Sequence, residues 1–362
     1  MTVPSSPLDR AKRFCEAHDI SVPILMAPMA GACPAPLAAA VANAGGMGAC
    51  GTLLMSPDAI GDWATTFRGS SNGGFQLNLW IPDPAPIRNA EHEAEVRAFL
   101  GQWGPEVAED AGDGGVLDFD AQCEAMLEAG PAVISSIMGL YPDDFVARMK
   151  QRGIKWFATV TTVAEARAAV EAGADAVVAQ GMEAGGHRGA YEAGEAERAL
   201  VGLFSLLPAV RDAVEVPVIA TGGIADARGV AAALMLGASA AQIGTGLLRT
   251  PEAAIAPAWA DAIGRTAPEE TIVTRSFSGR PGRSVATAYA RAANAPDTPD
   301  PAPYPVQRGL TGAMRAEGVK ENDIDRIQAW AGQSAALAQT RPAADLVRGI
   351  WSEAEAMLKG AV

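Results

Sequence analysis

Three histidines are present, so the candidates for a neutral-pH proton acceptor are few. His18 lies in a charged N-terminal helical stretch and His92 in Ala90-Glu-His-Glu-Ala-Glu95, and both read as surface residues. His187 differs. It sits in Gln180-Gly-Met-Glu-Ala-Gly-Gly-His-Arg-Gly189, directly after a short apolar run. Gly185 and Gly186 let the backbone come close to a ligand. An imidazole titrates near neutrality and can take a proton from a carbon acid. The plainer alternative is a loop histidine that bonds a backbone carbonyl.

Two glycine turns follow later apolar runs, in Val218-Ile-Ala-Thr-Gly-Gly-Ile-Ala-Asp226 and in Gln242-Ile-Gly-Thr-Gly246. Backbone N–H groups at Gly222, Gly223, Gly244 and Thr245, beside a helix start, make an anion site that needs no Lys or Arg. Either turn alone also fits ordinary chain reversal; together they indicate a phosphorylated cofactor. Asn78, in Phe75-Gln-Leu-Asn-Leu79, and Gln180 are amides at the ends of apolar runs. They can hydrogen-bond a flavin ring or loop backbone. The cysteines, Cys15, Cys33, Cys50 and Cys123, form no C-x-x-C pair and no zinc-ligand spacing, so no metal is expected.

The elements that must position these groups follow from alternation. Apolar runs at Pro23–Ala27, Met47–Cys50, Phe75–Leu79, Ala132–Ser135, Ile154–Thr159, Ala176–Ala179, Val218–Thr221 and Ala240–Ile243 read as buried strands. Helical stretches lie between them, near 35–44, 57–67, 119–129, 143–151, 163–172, 202–214 and 226–236. Strands buried on both faces, separated by helices, indicate a parallel sheet. Eight such units predict a (β/α)8 TIM barrel, with a doubly wound open sheet as the rival. No G-x-G-x-x-G follows the first run, which continues as Ala27-Pro-Met-Ala-Gly31 and weakens the rival. In a barrel, His187 and both glycine turns fall at the C-terminal mouth, where sites of this fold are built.

Two segments exceed the repeat, 82–118 and 251–335. They read together as a smaller helical cap over the mouth, with 1–81 and 119–250 forming the barrel and 336–362 a C-terminal helix. The formal charge over 362 residues is 28 − 42 = −14, which argues against a nucleic-acid partner. No charged residue occurs between Asp19 and Asp58, yet prolines and glycines break that stretch too often for a spanning helix. Without a signal-like N-terminus, a soluble cytoplasmic protein with no membrane partner is expected. A homodimer is left open.

These residues match a known pattern. The chain resembles the nitronate monooxygenases, formerly called 2-nitropropane dioxygenases, of the bacterial class I type. Ala27-Pro-Met-Ala-Gly31 with Leu37 to Gly48, Glu183 to Gly189, Pro217 to Gly223, Gln242 to Gly246, Thr274 to Pro281, Pro303-Tyr-Pro305 and Trp330 to Gln333 carry the likeness. Ala32-Cys33-Pro34 departs from it. The resemblance implies an FMN-dependent oxidoreductase that oxidises alkyl nitronates, and nitroalkanes, with O2 to a carbonyl compound and nitrite through a flavin semiquinone. It implies His187 as catalytic base. It implies FMN contacts at Ala27, Pro28, Met29, Asn78, Gln180, Gly185, Gly186, Gly222, Gly223, Gln242, Ile243, Gly244 and Thr245. The competing readings are an FMN-dependent enoyl-acyl carrier protein reductase or NAD(P)H:quinone reductase, and a flavin-binding module without turnover.

Overall fold

Parallel pairing joins eight strands in the order β1-β9-β8-β6-β5-β4-β3-β2. They are β1 (Ile24–Met26), β2 (Gly48–Gly51), β3 (Phe75–Trp80), β4 (Val133–Ile137), β5 (Lys155–Val160), β6 (Ala176–Gln180), β8 (Val218–Thr221) and β9 (Ala240–Ile243). In this computed structural model, which describes residues 6–360, the ends of that sheet meet. The Met26 N–H donates to Met47 O at 2.9 Å, and the Met47 N–H donates to Ile24 O at 3.2 Å. The result is a (β/α)8 barrel, and each expected strand lies within a residue or two of its apolar run.

Side-chain alternation divides the barrel interior into a dry half and a polar half. Toward the strand N-termini the inward residues are Leu25, Met47, Val133, Phe157, Val178, Ile219 and Ala240, which share one cluster. Two residues further along the same strands the inward side chains become Ser135, Thr159, Gln180, Thr221 and Gln242, joined by Asn78 from β3. Buried polar groups need partners, so this upper layer is where hydrogen-bonding capacity collects. The outward residues, such as Leu77, Ile134, Trp156, Val177 and Val218, pack under the surrounding helices.

Those helices begin at clear signals. Ser56 accepts from the Ala59 N–H ahead of Pro57–Arg68, and Thr162 with Glu165 forms a reciprocal capping box ahead of Val163–Glu171. Asp226 caps Ala227–Met235 through the Gly229 N–H, which seats that helix N-terminus behind Gly222 and Gly223. The last helix, Ala343–Leu358, buries Leu346, Val347 and Ile350 in the barrel's outer core.

Over the mouth, helix Ala90–Leu100 and residues 277–314 share a second core around Val96, Leu100, Phe277, Tyr289 and Leu310. Beside it lies a three-stranded antiparallel sheet that periodicity did not signal: β7 (Gly186–His187), β10 (Thr271–Thr274) and β11 (Gly282–Val285). Its strands hold two to four residues, and two of them, Gly-His and Gly-Arg-Ser-Val, offer no apolar run. The structure also corrects His18. It is half-buried, and its ring packs beneath the barrel, with centroids 4.4 Å from Phe14 and 5.1 Å from Phe157. His92 is half-buried, and its Nε2 lies 2.8 Å from Asp300 O, tying helix Ala90–Leu100 to the proline-rich stretch.

Candidate active site

A cavity of about 750 Å³ opens at the C-terminal end of the barrel. Its floor is the polar layer, Asn78, Thr159, Gln180, Thr221 and Gln242, together with the turn Ala27-Pro28-Met29. Gln242 Oε1 accepts from Gln76 Nε2 at 3.1 Å, which leaves the Gln242 amide N–H groups for the cavity. Asn78 Nδ2 donates to Ser135 O at 3.1 Å and so presents its carbonyl oxygen instead.

One wall is nearly all backbone. Gly222, Gly223, Gly244, Thr245 and Gly185 line it, joined by Gly332 and Ser334 from the chain that crosses the mouth. Gly222 and Gly223 have φ of +109° and +68°, a conformation that suits glycine. Their turn leads to the N-terminus of Ala227–Met235, so donors and helix dipole favour an anion there. At Gly185 a Cβ would lie 2.5 Å from Gly332 N. The Gly332 N–H donates to Thr245 Oγ1 at 3.0 Å, which closes the cradle.

His187 follows the cradle residue Gly185 by two positions and lines the same cavity. Strand β7 pairs with β11, with His187 opposite Gly282, and a Cβ at Gly282 would strike the Trp330 ring at 2.9 Å. Gln180 fixes the loop from inside: its Nε2 donates to His187 O at 3.1 Å and its Oε1 accepts from Gly189 N at 2.8 Å. Arg188 is buried and donates to Gln180 O at 2.6 Å and Ala199 O at 3.0 Å, so it locks the loop and does not face a surface carboxylate. The imidazole stands edge-on between Trp80, at 4.6 Å, and Trp330, at 4.8 Å.

His187 Nε2 lies 2.7 Å from Ser278 Oγ. That hydroxyl also lies 3.2 Å from Arg280 O, and its one proton goes either to that carbonyl, with the imidazole proton on Nε2, or to Nε2 itself. In the first arrangement Nδ1 keeps its lone pair. Burial, followed by the charges of Arg280, Arg308 and Arg315, pushes His187 down to about 3. The ring is therefore neutral at ordinary pH. Arg280 pairs with Asp83, Nε to Oδ2 at 2.9 Å, whereas Arg315 bonds only neutral acceptors, Thr311 Oγ1, Gln328 Oε1 and Arg308 O. Arg308 and Arg315 both line the cavity, and among the described residues neither pairs with a carboxylate.

Comparison with known proteins decides the family. The nitronate monooxygenase family model matches residues 12–353. A nitronate monooxygenase of Paraburkholderia phytofirmans is 37% identical, covering 91% of this chain and 91% of its own length. The chain belongs to the nitronate monooxygenase family. It is thus an oxidoreductase. A probable nitronate monooxygenase of Staphylococcus aureus is 32% identical over 93% of this chain and 96% of its own. Among solved structures, nitroalkane oxidase from Streptomyces ansochromogenes superposes with a TM-score of 0.87 at 35% identity, covering 96% of this chain and 99% of that one. FabK from Thermotoga maritima gives 0.76 at 29% identity, covering 97% and 99%.

Within this nitronate monooxygenase fold, the residues singled out from sequence converge on one cavity with a single exception. Ile243 does not line it. It follows Gln242 on β9, so alternation turns it outward into the helix-facing core, fully buried. Sequence reasoning assigned no role to Ser278, Ser334, Arg308 or Arg315, all of which line the cavity. Ser278 lies 91 positions from His187, and only the pairing of β7 with β11 brings them together. No helix among the described residues is long and apolar enough to cross a membrane.

Proposed function

We propose that this family member binds FMN and oxidises alkyl nitronates with O2, giving a carbonyl compound and nitrite. The observation that carries the reading is the buried imidazole of His187, bonded to Ser278, in one cavity with Arg308, Arg315 and a backbone anion cradle. The residues present fit FMN. Gly222, Gly223, Gly244, Thr245 and Ser334 would hold its phosphate, and Ala27 to Met29, Asn78, Gln180, Gly185, Gly186 and Gln242 would lie along its ring and side chain. A cavity of about 750 Å³ has room for cofactor and a small substrate together. When bound, FMN supplies the redox chemistry, taking electrons from substrate and passing them to O2.

The protein supplies binding, orientation and proton handling. An anionic nitronate placed between His187 and the pair Arg308–Arg315 is attracted by two cations with no carboxylate of their own. Burial is the larger cause of the low His187 value, and the same anion offsets the smaller part that comes from the arginine charges. With the Ser278 hydroxyl accepting from Nε2–H, Nδ1 is the atom that takes the α-proton of a neutral nitroalkane. A neutral nitroalkane brings no such charge and meets a base held near 3, with little driving force for proton transfer. The site therefore favours the preformed nitronate.

The competing reading, an FMN-dependent enoyl-acyl carrier protein reductase or NAD(P)H:quinone reductase, rests on the resemblance around the histidine motif, Glu183 to Gly189. The higher TM-score and identity of the nitroalkane oxidase weigh against it. The deciding test is nitrite release in air from ethyl nitronate by the purified protein, beside anaerobic reduction of its flavin by NADH or NADPH. Nitrite without pyridine-nucleotide reduction supports the nitronate reading; reduction without nitrite supports the other.

A further inference from the structure

A second cavity of about 340 Å³ adjoins the first and shares Leu53, Trp80 and Tyr304 with it. We propose that this annex receives the hydrocarbon tail of the substrate, so that the enzyme accepts nitronates with unbranched chains of medium length. The inference rests on the nitronate reading above.

Three observations carry it. The lining is apolar, with Ile81, Pro82, Phe119 and Val306 in the wall and Val116 and Leu117 at the rim. Val116 and Leu117 are 54% and 42% exposed, and apolar side chains gathered at a groove mark a binding surface. The charged side chains of the annex already have partners. Asp83 pairs with Arg280, and Arg88 Nε donates to Glu93 Oε1 at 2.9 Å while its other arm pairs with Asp113. No free charge is left to hold an ionic ligand. A peptide strand would also fare badly, because its buried N–H and C=O groups would lack partners here.

Position supplies the third observation. Trp80 packs on His187 at 4.6 Å and on Tyr304 at 5.3 Å, so the annex begins one ring away from the reacting atoms. A nitronate whose head lies between His187 and the arginines can send its chain past this aromatic pair. The two rings pack against each other, so the chain runs beside the pair along Leu53, which lines both cavities, a route that suits an unbranched chain. The annex is built largely from residues 79–88 and 112–122, so this segment sets substrate length while the barrel sets the chemistry.

The test uses two chain-length series on the FMN-loaded protein. The first is calorimetric binding of acetate, butyrate and octanoate, unreactive anions with a planar head like that of a nitronate. The second is kcat/KM for ethyl, butyl and octyl nitronates. Affinity and kcat/KM should each rise roughly threefold per methylene until the annex is full. Ala85→Trp and Leu117→Trp, at exposed lining positions outside the catalytic wall, should flatten both series and leave acetate and ethyl nitronate within twofold. No gain from butyrate to octanoate in the parent protein, or a full gain in both variants, overturns the proposal. Failure to oxidise nitronates of every length removes the reaction assigned above, and the carboxylate series still decides the annex.

Discussion

The imidazole Nε2 of His187 and the Oγ of Ser278 lie 2.7 Å apart, although His187 is on β7 and Ser278 is in the turn between β10 and β11. In the proposed reaction the Ser278 hydroxyl accepts from Nε2–H and leaves Nδ1 as the base. Ser278→Ala should therefore keep bound flavin yet slow turnover of neutral nitroalkane by roughly tenfold, a fraction of the ~10²–10⁴ that a positioned base supplies. Preformed nitronate should lose less than threefold. Ser278→Thr, which retains a hydroxyl, should restore most of the nitroalkane rate. Steady-state nitrite assays on both substrates read the split; equal losses on the two would remove Ser278 from the proton step.

Replacing the imidazole itself is the stronger version. His187→Asn should remain yellow, because the backbone cradle does not depend on the ring. Its nitroalkane turnover should fall by about 10² or more, and its nitronate turnover far less. Unchanged nitroalkane turnover would show that another group is the base.

The glycine cradle predicts a loss of cofactor with the fold retained. Gly185→Val places a Cβ 2.5 Å from Gly332 N, where backbone must shift. The purified variant should be colourless or bind added FMN at least tenfold more weakly, with unchanged far-ultraviolet circular dichroism. Flavin binding equal to that of the parent would place the phosphate elsewhere.

The barrel and most of this cradle were legible in the sequence, because both rest on local signals. Runs such as Ala176–Ala179 and Val218–Thr221 lack polar alternation and end in Gln180 and Gly222, and each locates a strand and its mouth-facing end. The small sheet was not legible: β7 is Gly186 and His187 alone, stabilised by long-range pairing to β11 and by Gln180. The same holds for Arg308 and Arg315. Their side chains acquire meaning only when their segment folds across the cavity. His18 shows the opposite error, since its charged neighbours masked a face that packs on Phe157.

Asp83 joins the segment after β3 to the buried Arg280, Nε to Oδ2 at 2.9 Å. Asp83→Ala leaves that guanidinium enclosed without its carboxylate, a change that costs about 3 kcal/mol. Thermal unfolding should drop by several degrees. Asp83→Glu should recover part of the loss, and a melting temperature unaffected by Asp83→Ala would show the pair to be dispensable.

Stability should also fall in mild acid. Burial, then Lys155, hold His18 down to about 4, and His187 is held to about 3, against about 6.5 in an unfolded chain. Between these values the unfolded state binds more protons, so the free energy of unfolding decreases as pH drops from 6.5 toward 4. His18→Phe removes one of the two groups and should shallow that slope. Denaturant midpoints at pH 7 and pH 4.5 measure it, and identical slopes in parent and variant would contradict the burial of His18 as the cause.

The most direct test is a single assay: nitrite formation and O2 consumption by the purified protein with preformed ethyl nitronate, beside neutral nitroethane at the same concentration. The expected result is FMN as the released chromophore, and nitrite from both substrates with the nitronate clearly faster. A protein that takes up no FMN, or one loaded with FMN that releases no nitrite from the nitronate, would contradict it.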